Sequence, residues 1–380
     1  MKRIDLQLLK SSRKRAVVQF AMNSRQSKHG TSKEEGRAIS KEERPTLTPM
    51  ETDLPEVSKV VMRRFANTIV SKGVDGLLRE YSELKLACPG PDSVPRTSFL
   101  KNPEKNRYKD IPCIEDTRVN LKWPPGTTEN YIHANWVRGL PGLTDPKTGA
   151  EKMMICTQGP TKETVPDFWR MVWQEKIKAI VMLCSVVENG KKKCEQYWPE
   201  KRGDSMALPF CTVTNRGYDR IGLRKDREKD LLYTTLIVKA KGSDGTDKSH
   251  YVNHVLWSGW PDKAVPLTAS GALALIMKTW TYSPAVVHCS AGVGRTGTIV
   301  ALEACLRQLL SGEELSVYNI VKNLRNRRYL ACQTDLQYLY IHMGLLTYIT
   351  SKNLASPEQL KDFTGTYERL VKQRIAAGEK

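Results

Sequence analysis

The stretch Ser283-Pro284-Ala285-Val286-Val287-His288-Cys289-Ser290-Ala291-Gly292-Val293-Gly294-Arg295-Thr296-Gly297 decides how this chain is read. Ser283-Pro284 reads as a turn and Ala285-Val286-Val287 as a short apolar strand. Beyond the small residues, Ile299, Leu302, Leu306 and Leu309 recur at helical spacing until Ser311-Gly312 gives a stop signal. The segment between them therefore joins the end of a strand to the N-terminus of a helix.

Such a junction favours one kind of chemistry. A helix N-terminus presents unpaired N–H groups and the positive end of its dipole, and glycines let the loop curl until consecutive amides face one point. The backbone of Ser290, Ala291, Gly292, Val293 and Gly294 then forms a socket for a tetrahedral oxyanion. Arg295 adds a planar, permanently charged fork that holds two oxygens of a phosphate at once. Cys289 lies at the bottom of the socket, where positive surroundings favour thiolate over thiol. The result is a nucleophile aimed at bound phosphorus. The alternative is a buried structural cysteine before an ordinary glycine turn. Against it, five fixed residue types would match by accident in about one sequence in ten thousand.

The decapeptide His288–Gly297 resembles the signature of the protein tyrosine phosphatases. Seven further segments resemble motifs of that family, in its order: Lys105-Asn106-Arg107-Tyr108, Tyr131-Ile132-His133-Ala134-Asn135-Trp136, Thr157-Gln158-Gly159-Pro160, Asp167-Phe168-Trp169-Arg170-Met171-Val172-Trp173, Gln196-Tyr197-Trp198-Pro199, Trp260-Pro261-Asp262 and Gln333-Thr334-Asp335-Leu336-Gln337. The resemblance implies an α/β fold, a highly twisted mixed β-sheet flanked by α-helices. It also implies hydrolysis of phosphotyrosine in proteins, with Cys289 as nucleophile and Arg295 as phosphate-binding residue.

Phosphate monoesters hydrolyse so slowly unaided that a nucleophile alone does not suffice, and the leaving oxygen needs a proton donor. Asp262 is the candidate general acid and, in the second step, general base. Trp260, grouped with the substrate-binding residues, anchors one end of its segment and Pro261 stiffens the backbone. The resemblance further implies that Gln333 and Gln337 position the attacking water, Tyr108 lines a slot deep enough for a phenol, and Asp110 binds substrate backbone amides. Glu188 and Lys193, flanking Asn189-Gly190, resemble the loop whose glutamate braces the catalytic arginine; a solvated hairpin tip is the other reading of that loop. The Thr296 hydroxyl is placed to stabilise the departing thiolate, with an ordinary helix-start threonine as the alternative. His288 either orients the thiolate through hydrogen bonds or is simply packed.

The 380 residues divide into a basic N-terminal arm over 1–50, a catalytic domain over 51–352 and a polar helical tail over 353–380, packed or free. Ile177–Val187 and Leu231–Val238 read as strands. No apolar stretch approaches the length of a membrane span, and no hydrophobic signal core opens the chain. The nine cysteines show no CxxC pair and no metal-like spacing, so a reducing compartment is expected, cytoplasmic with nuclear entry left open. No metal or cofactor is expected, because Arg295 and the loop amides already supply positive charge.

The formal charge is +19, and residues 1–40 alone hold ten Lys/Arg against three Asp/Glu. The excess extends beyond the arm and should attract phosphotyrosine peptides with acidic flanks. Ser11-Ser12-Arg13-Lys14-Arg15 reads as a nuclear-import signal or as solvated disorder. Without zinc-finger spacing or RNP-like aromatics, nucleic acid is not expected as a partner. A second function class, a phosphatase-like module that captures phosphotyrosine without efficient turnover, would be marked by loss of the nucleophile, arginine or acid, and all three are present.

One departure from the family pattern bears on activity. Lys263-Ala264 follows Asp262 where relatives commonly carry a bulky or imidazole side chain and then glycine. Alanine permits fewer backbone conformations than glycine, and the lysine charge favours ionised Asp262, which donates a proton poorly. A pH–rate profile is expected to show an acid-shifted optimum with weak turnover at neutral pH; full activity there would contradict it.

Overall fold

In a computed structural model, the run Ala285–His288 is a strand buried at all four positions and hydrogen-bonded on both sides. The structure describes residues 53–146, 148–221, 231–242, 244–261 and 264–377, all within the unit Pro45–Lys380. The basic arm over 1–50 and its import-like cluster lie outside the described residues.

The helices are α1 (Glu56–Leu86), α2 (Thr97–Lys101), α3 (Val165–Gln174), α4 (Ser270–Thr279), α5 (Gly294–Ser311), α6 (Val317–Arg325), α7 (Asp335–Ser351) and α8 (Pro357–Ala376). The strands are β1 (Arg118–Asn120), β2 (Tyr131–Val137), β3 (Met154–Thr157), β4 (Ala179–Met182), β5 (Val187–Glu188), β6 (Lys191–Lys192), β7 (Ser205–Ala207), β8 (Cys211–Ile221), β9 (Leu231–Lys241), β10 (Asp247–Trp257) and β11 (Ala285–His288). Nine of them form one sheet in the order β1-β2-β3-β11-β4-β10-β9-β8-β7, while β5 and β6 pair separately.

The inner strands β3, β11, β4 and β10 run parallel, and antiparallel wings extend from both sides. Parallel strands covered on both faces need continuous apolar runs, which Met154–Thr157, Ala179–Met182 and Ala285–His288 supply, every position being buried. His288 pairs with Thr157 on one side and Met182 on the other, so β11 delivers Cys289 at the carboxyl edge of the parallel core. Ligands of α/β sheets bind at that edge. The mixed sheet between helices agrees with the expected fold class.

Helix α5 starts and stops where its sequence pattern predicts. Ile299, Leu302, Leu306 and Leu309 are buried, and Gly312, at φ 84°, turns its N–H back to the carbonyls of Gln308 and Leu309. Two strand expectations change in extent. The run Ile177–Val187 keeps only Ala179–Met182 in the main sheet, because the chain then leaves it and Val187–Glu188 pairs with Lys191–Lys192 across Asn189-Gly190. Both turn residues have positive φ, as this tight hairpin requires. Strand β9 runs on to Lys241, since pairing with β10 continues beyond the apolar part.

Helix α7 opens with a capping box: the Thr334 hydroxyl accepts from the Gln337 N–H, and the Gln337 side chain accepts from the Thr334 N–H. Helix α8 buries Leu360, Phe363, Tyr367 and Val371 in the core shared with α1 and α7. All nine cysteines are free thiols. Among the described residues no helix is long and apolar enough to cross a membrane, and no group of three His, Cys, Asp or Glu side chains is placed to hold a metal ion.

Candidate active site

Beyond His288 the chain turns so that four successive carbonyls are held from outside the loop. The Cys289 carbonyl accepts from His288 Nδ1 at 3.1 Å, and that of Ser290 from the Gly159 N–H at 2.8 Å. The carbonyls of Ala291 and Gly292 accept from Nη2 and Nε of Arg328, both at 2.9 Å. A trans peptide is planar, with C=O and N–H opposed, so turning these oxygens outward turns the N–H groups of Ser290, Ala291, Gly292 and Val293 inward. The Gly292 N–H indeed donates to Cys289 Sγ at 3.3 Å. Helix α5 begins at Gly294, adding the positive end of its dipole.

Arg328 is fully buried, and its Nη1 donates to Asn135 Oδ1 at 2.8 Å and to His133 Nδ1 at 3.1 Å. None of these four partners is a carboxylate. Burial lowers its pKa, yet its charge lies behind the loop on the side away from the socket. The turn supporting it, Tyr329–Gln333, places Leu330 and Cys332 at positive φ, and the Cys332 N–H caps the Val293 carbonyl at 3.1 Å. The sequence reading missed Arg328 because Arg325-Asn326-Arg327-Arg328 looks like any solvated basic run.

Arg295 is gripped as a fork. Nη1 donates to Glu188 Oε1 at 2.7 Å and to the Leu183 carbonyl at 2.9 Å, while Nη2 donates to Glu188 Oε2 at 2.8 Å. Burial is the largest single influence and opposes the charge, but the Glu188 hydrogen bonds together with the attraction of Cys289 and Glu188 leave the guanidinium pKa raised. Glu188 is itself mostly buried, and its Oε1 also accepts from the Ser185 N–H, so it is no solvated hairpin tip. The Lys193 carbonyl accepts from Ser290 Oγ at 2.9 Å, so the second residue of that loop touches the socket through its backbone.

Tyr108 lies at the rim with its Oη 2.8 Å from Ser290 Oγ. Since the Ser290 proton goes to Lys193, Tyr108 is the donor. Its segment is tied down by Arg107, which donates to the carbonyls of Gly159 and Pro160 at 2.8 and 2.6 Å, and by Gln158, which bonds the backbone of both Arg107 and Lys105. Lys105 pairs with Asp167 at the start of α3. Asp110 is exposed beyond this segment.

Gln337 is buried, and its Oε1 accepts from the N–H groups of Gln333 and Thr334. A Cβ built on Gly294 would lie 2.8 Å from Gln337 Nε2, so the same amide caps α7 and abuts the loop. The Gln333 side chain is exposed at the mouth of α7. Thr296 is fully buried and its hydroxyl has no hydrogen-bond partner among the described residues. Trp260, 1% exposed, packs on Trp257 and Tyr340 and donates from Nε1 to the Ala264 carbonyl at 2.9 Å, so it anchors its loop. Asp262 and Lys263 lie outside the described residues.

At Gly292 the geometry leaves no room for another residue. Its φ is 71°, and a Cβ there would lie 2.0 Å from the Thr157 carbonyl oxygen. Gly292→Ala should destabilise the fold by at least ~1–2 kcal/mol in urea titrations and weaken tungstate binding more than ~10-fold in calorimetry. Unchanged tungstate affinity would contradict this account of the loop.

Comparison with known proteins accords with the geometry. The family model described as protein-tyrosine phosphatase matches residues 102–347. Human tyrosine-protein phosphatase non-receptor type 9 is 29% identical over 334 residues, covering 83% of this chain and 53% of that protein. Chicken (Gallus gallus) receptor-type tyrosine-protein phosphatase eta is 34% identical over 284 residues, 73% of this chain and 19% of its own length. The chain thus spans about half or less of these curated relatives. Among solved structures, the Trypanosoma cruzi protein tyrosine phosphatase superposes with a TM-score of 0.66 at 28% identity, covering 80% of this chain and 98% of that one. The Trypanosoma brucei enzyme gives 0.63 at 30% identity, covering 76% and 96%. With a match across most of its length and the matching fold, the chain belongs to the protein tyrosine phosphatase family.

Proposed function

We propose that this protein hydrolyses phosphotyrosine in proteins through a cysteinyl-phosphate intermediate. The observation that carries the reading is the convergence on Cys289 Sγ of an inward amide, a helix N-terminus and, across the same loop, a guanidinium held in fork orientation. In the first step Cys289 attacks phosphorus, the phosphorus–oxygen bond breaks, and Asp262 protonates the tyrosyl oxygen. The inward amides and Arg295 take up the charge of the equatorial oxygens. In the second step Asp262, now ionised, takes a proton from the attacking water and the sulfur leaves as thiolate.

Gln337 and Gln333 position that water, and the Thr296 hydroxyl, which has no hydrogen-bond partner among the described residues, is available to the departing sulfur. Tyr108, held upright by Ser290, makes the entrance a slot that a phenyl phosphate can enter, and Asp110 beside it binds substrate amides. The charge of +19 supports a preference for acidic flanks. Residues 51–352 are taken as the catalytic domain, with the basic arm before it and the polar segment 353–380 after it, in a cytoplasmic protein. Neither a binding module nor a nucleic-acid protein draws support from the relatives, which are phosphatases by name.

Para-nitrophenyl phosphate and a phosphotyrosyl peptide test this reading. Cys289→Ser is expected to lose roughly 10³–10⁶-fold in kcat, as removal of other enzymatic nucleophiles does. Asp262→Ala is expected to lose kcat while retaining tyrosine-phosphorylated proteins from cell extract. Equal turnover by wild type and Cys289→Ser would end the proposal.

A further inference from the structure

Behind Cys289, a row of buried polar groups runs across the sheet into an otherwise apolar region. Tyr197 Oη lies 2.8 Å from His288 Nε2 and 2.8 Å from His254 Nε2. The histidines sit on β11 and β10, separated by β4, and all three side chains are fully buried. Trp198 stacks on His254 at 4.4 Å, and Phe168 packs against Tyr197 and His288. The other groups facing this row are the Met182 thioether, 3.8 Å from Tyr197 Oη, the thiols of Cys184 and Cys194, and the more distant Arg107 charge. Among the described residues, His254 Nδ1 is buried without a hydrogen-bond partner.

The protons in this row have one consistent arrangement. Burial pushes His254 down to about 3 and His288 to about 4, so at neutral pH each ring carries one N–H. The Cys289 carbonyl can only accept, which places the His288 proton on Nδ1. Nε2 of His288 is then bare and takes the Tyr197 proton. The Tyr197 oxygen is left facing His254 Nε2, which must carry the proton of that ring. The bare nitrogen of His254 is therefore Nδ1, the atom the structure leaves unpartnered.

We propose that His254 is a positioning residue for Cys289: its Nε2–H fixes the direction of the Tyr197 hydroxyl and the tautomer of His288, and thereby holds the Cys289 carbonyl outward. Every N–H and O–H in the row points toward Cys289, so its dipoles add at the sulfur-bearing residue. Of the four outward carbonyl anchors, this one is set by proton placement; the others are a backbone amide and an arginine with fixed donors.

The catalytic meaning of the inference rests on the proposed phosphatase reading, but its test needs no turnover. Nitrogen-15 NMR of the wild-type histidine rings should show His288 protonated at Nδ1 and His254 at Nε2; the opposite tautomer at either ring overturns the proposal. His254→Leu should slow alkylation of Cys289 by iodoacetamide about three- to tenfold near pH 6. His254→Gln, which keeps an N–H donor, should stay within about twofold of wild type, and His254→Leu should add nothing in a Tyr197→Phe background. Alkylation at wild-type rate in His254→Leu, equal loss in both His254 variants, or additive effects with Tyr197→Phe would each refute it. An inactive enzyme with both tautomers and the alkylation pattern as stated would instead refute the phosphatase reading alone.

Discussion

Four consecutive peptide units, from Cys289–Ser290 to Gly292–Val293, must present their N–H groups to the same small volume, and a free loop would not do so. Amide dipoles aimed at one point repel, and each carbonyl turned outward must find a donor in the interior. Three residues supply those four donors: the ring of His288, the amide of Gly159 and two nitrogens of Arg328. Arg328, bonded to the loop from behind, thus does as much to shape the socket as residues that face it. An anion bound in the socket gives the amides their natural partner and places negative charge opposite a buried cation.

The sheet makes this possible by bringing distant segments together. Since β11 lies between β3 and β4, Gly159 beyond one neighbour and Leu183 beyond the other reach the loop without intervening structure. The short hairpin leaving β4 carries Glu188 back to Arg295. The buried pair they form is better understood as orientation than as stability, because desolvating two charges offsets most of their attraction. What it secures is a guanidinium plane already aligned when an oxyanion arrives, so little reorganisation remains for the reaction to supply.

Much of this was legible in the residues. The apolar run before His288, the small residues after it and the spacing of Ile299, Leu302, Leu306 and Leu309 specify strand, loop and helix locally, and Gly312 marks the end through its own backbone preference. The clamp on the loop was not legible. Arg328 has the same charge as Arg325 and Arg327 beside it, and only three-dimensional closure of the sheet shows which of them reaches the loop. The span Ile177–Val187 was over-read as one strand because apolar content alone does not reveal where a chain leaves a sheet to brace a site. For Glu188 the family resemblance pointed to the arginine brace, while local spacing alone left a hairpin charge equally open, because its partner lies more than a hundred residues away. His254 carried no local signal, being one of several polar residues along β10.

The most direct test of the account is chemical. A radiolabelled phosphotyrosyl peptide, turned over by the protein and quenched in acid, should leave phosphate attached through sulfur to the peptide carrying Cys289, and peptide mapping should find it there. Turnover at the normal rate with no label on Cys289, or with label on another residue, would contradict the claim that this sulfur, cradled by inward amides, is the group that attacks phosphorus.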